Sequence, residues 1–168
     1  QLERAPNLSS LKDIPESFLF EFINRSVRSK AFIVEQDEKE SGIRAVLNYG
    51  HTFGHVIETL TGYGTWLHGE AVSMGMVLAA HLSIQEGLFD IHKAKRQKKL
   101  LQKAGLPIHW PKLDQKEVLR RLKGDKKVKD GFIRFVLPTD IGKVIISSEI
   151  DDQKIIRLLD RVTSISSN

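Results

Sequence analysis

Apolar residues recur at helical spacing along most of the chain. Ser9, Ser10 and Pro15 read as loop and helix entry, after which Phe18, Leu19, Phe22, Ile23, Val27, Ala31 and Val34 predict one long amphipathic helix over about 16–40. A short link at Gly42 leads to a second expected helix over about 44–60, carrying Leu47, Phe53, Val56, Ile57 and Leu60 and ending in a loop at Gly62 and Gly64. Over 68–86 the apolar residues, among them Val72, Met74, Val77, Leu78 and Leu82, wrap more than half the circumference, so this helix is expected at the centre of a bundle. Gly87 stops it. A helix over 91–104 follows, then a connector containing Gly105, Pro107 and Pro111, then a short helix over 114–123 entered at Asp114.

Beyond Gly124 the period drops to about two, with Phe132, Ile133, Phe135, Val136 and Leu137 before a turn and Val144, Ile145 and Ile146 after it. A β-hairpin with a five-residue turn over 138–142 is expected, and a last helix over 151–162. The fold class is therefore mainly α, a multi-helix domain with one small β-hairpin near the C-terminus. The 168 residues suit one domain, and the first residue is Gln, so the chain is expected to be a piece of a longer protein.

Charge sharpens the picture more than bulk composition does. The net charge is +5, but residues 91–131 hold 14 of the 26 basic and only 4 of the 21 acidic side chains, a local +10 against −5 elsewhere. Lys93, Lys95, Arg96, Lys98, Lys99 and Lys103 decorate the 91–104 helix, and Trp110 is the only aromatic residue in the stretch. Without aromatic interleaving or a reading motif, no nucleic-acid partner is expected; a small anion or a solvated face suffices. There is no Cys, so a metal would be held by His and carboxylates. No segment reads as a membrane span or a signal peptide, and the expected location is cytoplasmic.

Three of the six His fall between 51 and 68. His51 and His55 are four apart, which puts both on one helix face, a spacing that suits one metal or one anion, with His68 as a third ligand. The ordinary alternative is three hydrogen-bonded histidines beside Gly50 and Gly54, glycines that permit close backbone approach. His81, His92 and His109 have no such company and read as structural or surface residues. Lys30, Asp37, Glu40, Arg44 and Asn48 precede the cluster at positions where a solvated helix would also carry charge. Lys126 and Lys127 read as a basic loop.

The run Gly50-His51-Thr52-Phe53-Gly54-His55, followed by Leu67-His68-Gly69-Glu70-Ala71-Val72, resembles the 3-dehydroquinate synthase family of the shikimate pathway. The match is ordered and covers nearly the whole chain, through Lys30, Gln36-Asp37-Glu38, Gly42, Arg44, Leu47-Asn48, Gly62-Tyr63-Gly64, Gly75-Met76, Asp125-Lys126-Lys127 and Val136-Leu137-Pro138. It implies that residues 1–168 are the C-terminal, helical, zinc- and substrate-binding domain of a two-domain enzyme. The enzyme's own N-terminal α/β domain, which would bind NAD, would be its partner. A homodimer is implied for the intact enzyme, and inactivity for this piece alone.

Residue by residue, the resemblance makes His51 and His68 zinc ligands, with the third, a Glu, upstream, and it takes His55 out of the metal shell. His55 would meet the substrate phosphate and assist proton transfer. Lys30, Arg44 and Asn48 would bind the carboxylate, ring oxygens and phosphate of an anionic sugar-acid substrate; Glu40 would join the network at the reacting ring, and Lys126 or Lys127 would reach the anionic end. The implied reaction converts 3-deoxy-D-arabino-heptulosonate 7-phosphate to 3-dehydroquinate and phosphate, through transient oxidation by NAD with zinc as Lewis acid. The competing expectations are a related sugar-phosphate cyclase, or a metal- or anion-binding helical module without catalysis.

Overall fold

A computed structural model describes residues 3, 10, 12, 14–39, 42–124 and 133–165. Its order is α1 (Glu16–Gln36), a 3-10 segment (Ile43–Asn48), α2 (His51–Thr61), α3 (His68–Gln85), α4 (Ile91–Lys103), α5 (Gln115–Gly124), the strands β1 (Phe135–Asp140) and β2 (Lys143–Ser147), and α6 (Asp152–Ile165). This is the mainly helical architecture with one hairpin that the periodicity predicts. No described helix is long and apolar enough to cross a membrane.

The helix starts follow from local chemistry. Asp90 accepts from the backbone N–H groups of His92 and Lys93 at 2.9 and 3.1 Å, capping α4. Asp114 and Asp151 do the same for α5 and α6 through the N–H groups of Glu117 and Lys154. Glu70 reaches back to the Leu67 N–H at 2.8 Å and satisfies one of the orphan donors of α3.

α3 is the centre of the molecule, as its all-round apolar surface predicts. Ala71, Met74, Val77, Leu78, Ala79, Ala80 and Leu82 are buried on it. α2, β1, α4 and α6 all pack against it. Phe53 anchors the core, its ring 5.4 Å from Phe135 and 6.1 Å edge-on from Trp110. Buried hydroxyls tie the layers together: Ser73 donates to the Pro107 carbonyl and Ser83 to the Pro138 carbonyl.

Three expectations need correction. The helix expected over 44–60 is broken at Tyr49 and Gly50, because Gly50 takes φ +82 and lies against α3, where its Cβ would come within 2.7 Å of the Val72 carbonyl oxygen. The first helix ends at Gln36 rather than 40, since the Asp37 carboxylate turns to accept from the Gly42 and Arg44 N–H groups at 2.7 and 3.0 Å. Its apolar stripe is not buried among the described residues: Ile23 and Val27 are 51% and 61% exposed. A groove of about 1560 Å³, lined by Phe22 and Ile33 on one side and Met76 and Val144 on the other, separates α1 from the body. Finally, the hairpin turn is shorter than 138–142. Pro138 pairs with Val144 and Asp140 with Lys143 across a register shift, and the chain reverses at Ile141 and Gly142, where φ is +80.

The α2–α3 crossing is a backbone contact. A Cβ on Gly75 would stand 2.1 Å from the Gly50 carbonyl oxygen and 2.8 Å from the Gly54 nitrogen. Gly75→Ala should therefore destabilise by about 2–4 kcal/mol in urea unfolding, at or above the usual range for overpacking, because the obstructing atoms are main chain and cannot rotate away. Gly69→Ala, with nothing within 4 Å of the new Cβ, should be neutral or mildly stabilising. Equal effects from the two would contradict the crossing.

Candidate metal and anion site

One face of α2 is core and the opposite face is chemistry. Phe53, Val56 and Ile57 are buried, while His51, His55 and Glu58, at i, i+4 and i+7, share the other stripe. The glycine contact sets the height of α2 against α3, and the loop from Gly62 to Leu67 returns the chain so that His68, the first residue of α3, meets this stripe. The ring centres lie 5.7 Å apart for His51 and His55, 5.2 Å for His51 and His68, and 6.0 Å for His55 and His68. The structure thus brings together the three histidines that the sequence singles out.

Polar contacts orient two of the rings. The Glu58 carboxylate, only 14% exposed, accepts from His68 Nδ1 at 3.0 Å, and the Tyr49 carbonyl faces His51 Nδ1 at 3.4 Å. A carbonyl accepts and a carboxylate oxygen can accept, so in both rings Nδ1 is the nitrogen that faces an acceptor and Nε2 is the one left for a ligand. Two imidazoles bound at about 2.0–2.1 Å to one tetrahedral zinc place their ring centres about 5 Å apart. The His51–His68 separation fits such an ion; the two separations involving His55 are wider. Donor atoms of His55, Glu58 and His68 also lie within 4.8 Å of one another. That second trio shares His68 with the first pair, and it uses the carboxylate already engaged with His68.

Tyr49 supports the approach to the cluster. Its hydroxyl lies 2.8 Å from Gln97 Oε1 and 3.1 Å from the Met76 carbonyl, and Gln97 Nε2 donates to the same carbonyl at 3.2 Å. This ties the segment before His51 to both α3 and α4. Burial pushes the Tyr49 hydroxyl well above its ordinary pKa, with the Gln97 hydrogen bond a smaller opposing cause.

Other expected site residues are placed less closely. Arg44 and Asn48 are half-buried on the 3-10 segment that runs into Tyr49, and Arg44 Nη1 donates to the Glu38 carbonyl at 2.6 Å. Lys30 is exposed on α1, and no hydrogen bond or ion pair among the described residues joins it to the imidazoles. Glu40, Lys126 and Lys127 lie outside the described residues. His81 is half-buried on α3, its pKa lowered by burial and then by the charges of Lys98 and Arg161; His92 and His109 are exposed. The α4 cations Lys95, Arg96, Lys99 and Lys103 line a basin of about 440 Å³ that includes none of the three clustered histidines. The sequence reading missed Glu58, although its i+3 spacing from His55 was available as a signal.

Residues 1–128 match the model of the family described as 3-dehydroquinate synthase C-terminal. A 3-dehydroquinate synthase of Prochlorococcus marinus (strain NATL1A) is 56% identical over 162 residues, 96% of this chain and 44% of that protein. One from Synechococcus sp. (strain CC9605) is 48% identical over the same length and shares. The chain thus spans less than half the length of these curated relatives. Among solved structures, 2-deoxy-scyllo-inosose synthase complexed with carbaglucose-6-phosphate, NAD+ and Co2+ superposes with TM-score 0.75 at 26% identity, over 90% of this chain and 44% of that one. A 2-epi-5-epi-valiolone synthase from Streptomyces hygroscopicus subsp. jinggangensis 5008, with NAD+ and Zn2+ bound, shares the fold with TM-score 0.76 at 23% identity, over 89% of this chain and 41% of that one.

Replacing Tyr49 by Phe should cost about 1 kcal/mol of stability in urea unfolding, the usual worth of one hydrogen bond. It should also broaden the His51 ring signals in NMR spectra, since the carbonyl that faces His51 is then less firmly held. Unchanged stability and unchanged signals would show that Tyr49 does not brace the site.

Proposed function

The chain belongs to the 3-dehydroquinate synthase family, and from that premise we propose that residues 1–168 form the helical, metal- and substrate-binding part of an enzyme converting 3-deoxy-D-arabino-heptulosonate 7-phosphate to 3-dehydroquinate and phosphate. The observation that carries this reading is the approach of His51 and His68 to 5.2 Å with each Nδ1 facing an acceptor. The half-exposed His68 ring and its exposed neighbours Leu67 and Tyr63, 74% and 80% accessible, support a site completed by further protein. In this reading an N-terminal domain, present in the longer relatives, covers that face, carries NAD and supplies a third ligand, a Glu.

His51 and His68 would hold zinc through Nε2. Bound there, zinc would act as a Lewis acid on a substrate hydroxyl. His55, its ring centre 5.7 and 6.0 Å from those of the two ligands, would meet the substrate rather than the metal. Its imidazole can donate to a phosphate oxygen and take up or return a proton. Arg44 and Asn48 would turn toward the carboxylate and hydroxyls, Arg44 exchanging its bond to the Glu38 carbonyl for a bidentate one. Lys30, Glu40 and one of Lys126 and Lys127 would complete the polar lining. Curated relatives at 48–56% identity carry the 3-dehydroquinate synthase name, which favours this substrate over those of the other cyclases. A second reading, a metal-binding helical module without catalysis, is favoured by the His55, Glu58 and His68 donors, which need no residue outside the chain.

The intact protein that contains this chain should release phosphate from the heptulosonate phosphate when NAD and zinc are present, whereas residues 1–168 alone should not and should bind zinc weakly. His51→Ala and His68→Ala should each strip zinc from the intact protein; His55→Ala should keep the zinc and lose at least about 100-fold in turnover, the scale of a lost proton-transfer group. Unchanged zinc content in both ligand variants would refute the assignment. Tight zinc binding by the 168 residues alone would favour the second reading.

A further inference from the structure

In the reading of His51 and His68 as zinc ligands, Glu58 has been given no role. It sits on α2 one turn beyond His55, on the stripe that faces His68, and its side chain is only 14% exposed. A carboxylate at that depth is costly unless a partner compensates it. One partner does so here: His68 Nδ1, at 3.0 Å. The His68 ring is itself 56% exposed, so core packing does little to select its rotamer. Among the described residues, Glu58 is the group that orients it, by a hydrogen bond at Nδ1.

We propose that Glu58 is a positioning residue of the site: its carboxylate holds the His68 ring through Nδ1 and so presents Nε2 toward His51 for a divalent metal. The inference rests on the reading of His51 and His68 as metal ligands and adds a carboxylate–imidazole pair behind one of them. With the ring already oriented, the ion need not order it on binding, and the paired carboxylate makes Nε2 a stronger donor. Outer partners of this kind typically contribute 10–100-fold in metal affinity.

The test uses the intact protein, stripped of metal, with Zn2+ affinity measured by competition with a chelator and the Co2+ absorption spectrum as a second readout. Glu58→Gln keeps the shape and a neutral acceptor and should weaken Zn2+ about 10-fold; Glu58→Ala should approach 100-fold; Glu58→Asp should recover part of the loss. The Co2+ bands should keep their positions in Glu58→Gln, because the inner ligands are unchanged, and the urea midpoint of the metal-free protein should stay near that of the parent. His68→Ala serves as the reference and should lose more than any Glu58 variant. Wild-type affinity in Glu58→Gln and Glu58→Ala, alongside a large loss in His68→Ala, would overturn the positioning role alone. Wild-type affinity in His68→Ala would overturn the metal reading beneath it. A loss in Glu58→Gln as large as in His68→Ala, with shifted Co2+ bands, would make Glu58 a direct ligand and also defeat the proposal.

Discussion

The passage of the α2 backbone across the α3 backbone is the contact on which the arrangement of the imidazoles rests. Gly50 on one side and Gly75 on the other leave no room for a Cβ, and Gly54 leaves little; a Cβ on Gly75 would stand 2.1 Å from the Gly50 oxygen. A helix pair separated by ordinary side chains runs at 8–10 Å between axes, and at such a distance the α2 stripe would draw back from the first turn of α3. The close approach carries His51, His55 and Glu58 up to His68. The positive φ of Gly50 serves the same end, since it breaks the chain between the 3-10 segment and α2 and lets the Tyr49 carbonyl face His51.

Division of labour on α2 follows from that placement. Phe53, one residue from the glycine it precedes, packs on Trp110 and Phe135 and pins the helix into the core, so the opposite stripe is held by a rigid support rather than by a loop. The imidazole at the start of α3 has no such support and depends on a carboxylate. The resulting site is shallow. Its exposed rim at Tyr63 and Leu67 and the unburied stripe of α1 are apolar surfaces that the described residues leave uncovered, in keeping with a chain that spans 44% of its curated relatives.

Much of this was legible in the sequence because the period of apolar residues is a local property. The central helix, the basic helix, the hairpin and the final helix all follow from periods of 3.6 and 2 and from Gly and Asp at their ends. Two of the failures have tertiary reasons. Continuous helical spacing through 44–60 concealed the break at Gly50, which is imposed by α3 and not by neighbours in sequence. The stripe on α1 has helical period, but burial requires an opposing surface, and α1 faces a groove. In the site, the i, i+4 histidines were visible while their separate roles were not: spacing alone joins His51 to His55, whereas the shortest ring separation joins His51 to His68 across 17 residues. The +10 segment was legible as charge but not as location, since its α4 cations line a basin apart from the histidines.

The most direct test of this account is the position of a bound metal in crystals of the intact protein, located by anomalous scattering at the zinc edge. The account predicts one peak about 2.0–2.1 Å from the Nε2 atoms of both His51 and His68, with His55 outside the inner shell and Glu58 still on His68 Nδ1. A peak enclosed by His55, Glu58 and His68, or one that leaves His51 unbound, would contradict it.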